Sequence, residues 1–70
     1  MKLAIVSGGF DPVHVGHIEL LQKARGMADS LFVIVNNDQF LERKKGKAFM
    51  PLKERIAIMQ ALKGVEVAIE

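Results

Sequence analysis

The sequence predicts an α/β fold, a three-stranded parallel sheet with flanking helices, on three observations. The runs "LAIV" (residues 3–6) and "LFVIV" (31–35) are unbroken and β-rich, a weaker run "VEVAI" closes the chain at 65–69, and the stretches between them have helical spacing. Continuous apolar runs mark parallel strands buried by helices on both faces, whereas half-exposed antiparallel strands alternate with polar residues. Val33 to Val35 fit the buried case.

Taken in order, the first strand ends in "SGG", and a helix is expected from about Val15 to Met27. Its apolar stripe would be Leu20, Leu21, Ala24 and Ala28, with Glu19, Gln22 and Lys23 opposite. After the second strand comes the one polar interruption, "NNDQFLERKKGKA" (36–48), in which a short helical turn is expected to begin at Asp38. The next helix begins at Pro51, whose fixed φ and missing N–H suit a first helical turn, and stops near Gly64, suited to a left-handed cap. Leu52, Ile56, Met59 and Leu62 form its buried stripe, and residues 65–69 make the third strand. With right-handed crossovers this order gives a Rossmann-like half domain, half of a doubly wound sheet.

Seventy residues, half of them hydrophobic, allow one small domain with a modest core and leave no room for a second. Without cysteine there is no disulfide framework and no thiolate metal site, and "MKLAIVSGG" has too short an apolar run for a signal peptide, so a reducing cytoplasm is expected. No apolar stretch approaches the roughly 20 residues that span a bilayer, which excludes a membrane role on length. The formal charge of +2 does not argue for nucleic acid. Position matters more: Arg43, Lys44, Lys45, Lys47, Lys53 and Arg55 crowd one stretch. Taken alone, "ERKKGK" reads as a solvated loop.

Ligands of such sheets bind beyond the carboxyl ends of the strands, where "SGGFDPVHVGH" (7–17) lies. Gly8 and Gly9 let a phosphate approach the backbone amides, and the following helix points unpaired N–H groups at it. Two glycines alone would be a plain tight turn. The histidines change that balance. His14 and His17, three residues apart in a first helical turn, lie on one side and can each donate a hydrogen bond to one anion. Gly16 keeps the backbone open between them, and Pro12 stiffens the entry. A histidine tucked under the helix is a competing reading, as is a zinc pair, but zinc normally takes three or four protein ligands and only Asp11 is close. Phosphate contact is favoured and no metal site is expected.

"GGFDPVHVGH" resembles the G-x-F-D-x-x-H-x-G-H signature of the cytidylyltransferase-like nucleotidyltransferases, with every signature position matched. "VNND", "RKKGKAFMP" and "KERIAIMQALKGV" resemble later segments of that family, so the likeness runs through essentially all 70 residues, closest in style to glycerol-3-phosphate cytidylyltransferases and sugar-phosphate adenylyltransferases such as the heptose enzyme. The resemblance implies attack by a substrate phosphate on the α-phosphorus of CTP or ATP, with magnesium carried by the triphosphate. It implies phosphate-binding, catalytic roles for His14, His17 and Lys44. A nucleotide site would comprise Gly8, Gly9, Phe10, Asp11, Gly16, Lys47 and Arg55, with Asp11 bracing the turn or positioning substrate and metal. Asp38 would touch substrate or cap a turn, and Arg55 is read equally well as an exposed helix charge. The family's later Arg-Thr-x-Gly-Ile-Ser-Thr segment is not in the chain, so residues 1–70 match the N-terminal, nucleotide-binding half. The chain is expected to be a fragment of a longer enzyme or a half domain that pairs with a second half or with its own copy. A nucleotide-binding module without turnover shares every binding residue. A tRNA-synthetase-like adenylate former lacks the length and the second lysine-rich signature.

Overall fold

The computed structural model describes residues 1–70. Its elements are β1 (Leu3–Gly8), α1 (Val15–Gly26), β2 (Ser30–Val35), α2 (Asp38–Lys45), α3 (Leu52–Ala61) and β3 (Val67–Ile69). The sheet is parallel in the order β1-β2-β3, with Val6 opposite Val33 and Val33 opposite Ala68. The predicted α/β class and strand count therefore stand.

The layering differs from expectation. In the order β1-β2-β3 both right-handed crossovers step the same way across the sheet, which places α1 and α3 on one face. That face carries Ala4, Val6, Leu31, Val33, Val35 and Ala68; the last four form the core with Phe10, Leu21, Ala24 and Met59, and Ala4 and Val6 pack against it. The opposite face is open. Leu3 is 54% exposed, Ile5 60% and Ile69 48%, and Phe32, Ile34 and Val67 are only half-buried. The runs that suggested burial on both faces are thus apolar on a face that no helix of this chain covers.

The helix ends also move, for local reasons. In α1, Leu21 and Ala24 are buried but Leu20 is 49% exposed, because the stripe is only as wide as the strip of sheet beneath it. The expected turn at Asp38 is a full eight-residue helix. Asn37 caps it by accepting from the Phe40 N–H (2.8 Å), and Arg43, Lys44 and Lys45 occupy the last turn, where cations suit the helix dipole. Pro51 is the N-cap of α3 rather than its first helical residue, and α3 ends at Ala61, with Leu62 already extended and Gly64 in the turn beyond at φ +93°. β3 shortens from the expected 65–69 to Val67–Ile69.

Identical truncations on the two faces should therefore differ. Leu31→Ala removes a fully buried side chain and should destabilise by about 2–5 kcal/mol, and Leu3→Ala by about 0.5 kcal/mol, as surface changes do. Urea denaturation of both variants measures this, and equal losses would mean that the second face is covered in solution.

Candidate functional site

The carboxyl ends of β1 and β2 open into a cavity of about 520 Å³. One wall is the β1–α1 loop with Gly9, Phe10, Asp11 and Pro12, the first turn of α1 adds His14 and His17, and Asn36, Leu41, Lys44 and Lys45 of the β2–α2 side close it. Asp11 is the one acidic residue of the lining, and the first turn of α1 contains none. The N-terminal end of that helix therefore faces the cavity with its partial positive charge uncompensated.

The two histidines are set by the backbone of their own turn. His14 is the N-cap of α1, and its Nδ1 accepts the Gly16 N–H (3.0 Å). His17 Nδ1 accepts the His14 N–H (3.1 Å). A backbone N–H only donates, so each neutral ring must carry its proton on Nε2, which leaves two Nε2–H donors from adjacent rings with centroids 4.0 Å apart. The His17 ring also meets the edge of Phe10 at 5.0 Å. Burial, and then the neighbouring charge of His14, pushes the His17 pKa below its ordinary value of 6.5, so this imidazole is neutral at pH 7.

Close approaches explain the glycines. A Cβ on Gly16 would lie 2.8 Å from His14 Cε1, so only glycine lets the ring fold back over the turn. A Cβ on Gly9 would lie 2.9 Å from Leu41 Cδ2, where α2 packs against the loop. Gly8 stands outside the lining at the end of β1, where its carbonyl accepts the Asn36 N–H (2.9 Å). Phe10 is buried at φ +51°, a conformation costing about 1–3 kcal/mol for a non-glycine residue, and its packing holds it there. The following Asp11–Pro12 peptide is cis.

Two ion pairs organise the walls. The Asp11 side chain is 1% exposed and lies 2.9 Å from Lys45 Nζ, and its carboxylate accepts the N–H groups of Phe49 and Met50. Burial alone would raise its pKa, but the Lys45 hydrogen bond, the two amides and the Lys45 charge outweigh that and hold it below the usual carboxylate value. Of the two roles expected of Asp11, bracing is the one its contacts perform.

Arg55 corrects one of the two readings made of it. It is 1% exposed, so it is no solvated helix charge, and it lies behind the cavity lining rather than in it. Its guanidinium donates to the carbonyls of Met50 (2.9 Å), Gly9 (3.0 Å) and Asn36 and pairs with Asp38. In that position the guanidinium holds both loops that form the cavity. Asp38, 44% exposed at its side chain, serves that pair rather than the lining. Lys44 lines the cavity, with its Nζ 5.9 Å above the Phe40 ring, whereas Lys47 lies in an adjoining depression with Lys45, Ala48 and Phe49. Sequence reasoning missed Asn36, Leu41 and Lys45. Leu41 and Lys45 are four residues apart, and that spacing would have paired them had the stretch been read as helix.

A three-stranded parallel sheet with paired imidazoles at a helix N-terminus beyond its first strand defines an α/β module whose strand ends offer hydrogen-bond donors of the kind an anion accepts. Comparison with known proteins narrows this: the family model described as cytidylyltransferase-like matches residues 5–70, and the chain belongs to that family. It is 36% identical over 69 residues to a glycerol-3-phosphate cytidylyltransferase of Staphylococcus aureus, covering 99% of this chain and 52% of that one. It is 40% identical over 70 residues to an FAD synthase of Thermococcus sibiricus, covering 97% and 47%. The crystal structure of a lipopolysaccharide core biosynthesis protein from Thermoplasma volcanium superposes with a TM-score of 0.92 at 30% identity, over 99% of this chain and 57% of that one. The chain spans about half the length of these relatives. No helix is long and apolar enough to cross a membrane.

Removing the buried guanidinium by Arg55→Met should destabilise by about 3–5 kcal/mol, because four acceptors lose their donor, while Asp38→Asn at a partly exposed site should lose about 1 kcal/mol or less. Chemical denaturation measures both, and an unchanged midpoint for Arg55→Met would refute the organising role. The two depressed pKa values place acid sensitivity in two windows. A pKa that is lower in the folded chain contributes stability present above the unfolded value and lost as pH falls through the folded one. His17 should therefore lower the melting temperature as pH drops below about 6.5, and Asp11 should add a second loss below about 3.8. His17→Gln, whose amide oxygen can accept the same N–H, should abolish the first loss and keep the second.

Proposed function

We propose that this chain is the nucleotide-binding, catalytic half of a nucleotidyltransferase that moves a nucleotidyl group from CTP or ATP to a phosphorylated alcohol or sugar. The carrying observation is the pair of imidazoles whose Nδ1 atoms are engaged by backbone N–H groups, leaving two Nε2–H donors at an anion-receptive helix end. The family match and the two transferase relatives support the same reading.

In the reaction an oxygen of the acceptor phosphate forms a bond to the α-phosphorus as the bond from that phosphorus to the bridging oxygen breaks, and pyrophosphate leaves. Such transfer depends on positioning and on compensation of charge. His14 and His17 donate from Nε2 to phosphoryl oxygens, and Lys44 supplies the free cation of the wall. The Gly9 and Phe10 backbone lines the nucleotide, with Gly8 and Gly16 permitting the turn, and Lys47 assists from the adjoining depression. Arg55 and Asp38 hold the loops in place. Magnesium arrives with the triphosphate as part of the substrate. The open apolar sheet face and the unpaired β1 edge favour a second half domain or a second copy as partner.

His14→Asn separates capping from chemistry, because asparagine is a good N-cap yet lacks the imidazole donor. It should melt near the parent temperature and lose about 10²–10³ in transfer rate, as removal of a preorganised donor does. Lys44→Ala should weaken triphosphate binding. Pyrophosphate exchange, and pyrophosphate release from CTP and ATP across a panel of sugar and polyol phosphates, provide the test. Binding without exchange under every condition would leave a nucleotide-binding module, and no binding of either triphosphate would overturn the proposal.

A further inference from the structure

We propose that Lys45 is a positioning residue: through Asp11 it fastens the end of α2 and the following segment to the β1–α1 loop, and so fixes where the free Lys44 cation stands in the cavity. This rests on the cavity being the nucleotide site.

Three separate parts of the chain meet at one carboxylate. Lys45 Nζ lies 2.9 Å from Asp11 Oδ2 and also donates to the Asp11 carbonyl at 2.7 Å. The same carboxylate takes the amides of Phe49 and Met50, so the β1–α1 loop, the last turn of α2 and the stretch before α3 are tied at a single point. Asp11 is shielded from water whereas the Lys45 side chain is 38% exposed. A shielded carboxylate requires its cation, and the lysine reaches it from outside.

Neighbouring lysines thus have different work. The ammonium of Lys45 would have to break two contacts to reach a phosphate, whereas that of Lys44 forms no ion pair and lies over the Phe40 ring. Helix α2 is held to the β1–α1 loop through Leu41 against Gly9 and, one turn later, through Lys45 on Asp11. Losing the second attachment leaves the helix held at its start, by Leu41 against Gly9 and by the Asp38–Arg55 pair, and Lys44, adjacent to the lost anchor, moves with the freed end.

The test uses Lys45→Met, Lys45→Arg and Lys44→Met in the full 70-residue chain, with hydrogen exchange of the Phe49 and Met50 amides and titration with CTP and ATP at several salt concentrations. In Lys45→Met, exchange at those two amides should accelerate about tenfold or more, since a charge-assisted contact to a buried group opposes their opening. Amides of β2 should be unaffected. Triphosphate affinity should fall while its salt dependence stays that of the parent, because Lys44 still reaches the phosphate in the bound state and only the cost of positioning it has risen. Lys45→Arg should restore both affinity and protection. Lys44→Met should leave the amides protected but flatten the salt dependence. Unchanged protection in Lys45→Met, or a flattened salt dependence there, would overturn the proposal. Should Lys45→Met not fold, Asp11→Asn together with Lys45→Met removes the charge pair as a unit, and parental protection in that double variant would overturn it equally. Failure of every protein, the parent included, to bind CTP or ATP would refute the nucleotide reading instead, while the exchange rates still decide the anchor.

Discussion

The guanidinium of Arg55 is the constraint on which the cavity depends. A buried charge is stable only with its donors satisfied, and this one satisfies them with oxygens from three places: Gly9 after β1, Asn36 after β2, and Met50 before α3, with Asp38 as counter-ion. Each acceptor belongs to a segment that has left the regular sheet and has few ladder bonds of its own. The planar fork of donors reaches them all from one side chain of α3. The loop that presents the histidines and the turn that starts α2 are thereby referenced to a single rigid group.

The first turn of α1 shows how local structure and chemistry share atoms. An N-cap is usually a short side chain whose oxygen accepts a backbone N–H, and an imidazole in that place is unusual. It serves here because Gly16 leaves space for the ring, and because the accepting nitrogen determines which nitrogen is left to donate. The cap thus selects the tautomer, so two histidines can act as donors without carrying charge. Protonation of His17 would require a proton on the nitrogen that accepts the His14 N–H, so that contact and the neutral form of His17 are lost together.

How much of this was legible follows from the range of the interactions. The first strand, the start of α1 and the histidine pair sit in fifteen consecutive residues, 3–17, where glycine, proline and helix-start chemistry are local. The burial of Arg55 could not be read, because its partners lie up to 46 residues away and an arginine in the first turn of a helix, next to Lys53 and Glu54, resembles any solvated one. The resemblance singled out Lys44, but the separate work of Lys45 could not be read until α2 was known to be a full helix, and its polar composition hid that. The one-sided layering had a different cause. Strand orders β1-β2-β3 and β2-β1-β3 share the same pattern of elements, yet only the second would send the helices to opposite faces. The apolar runs were read correctly as strands and incorrectly as covered.

That open face bears on the site through stability. A core of eight residues on one side of three strands supplies little beyond what a domain this small needs, and a shielded carboxylate and a buried guanidinium both draw on it. The cavity is therefore held by polar contacts that are strong only while the loops remain packed, and loops remain packed only while the sheet beneath them is ordered. Covering Leu3, Ile5 and Ile69 would add apolar burial without touching any cavity residue, since these side chains project from the sheet face turned away from the helices. Association at that face would accordingly act on the site by deepening the stability of the strands whose ends carry it, and would leave the geometry of His14, His17 and Lys44 as the loops already set it.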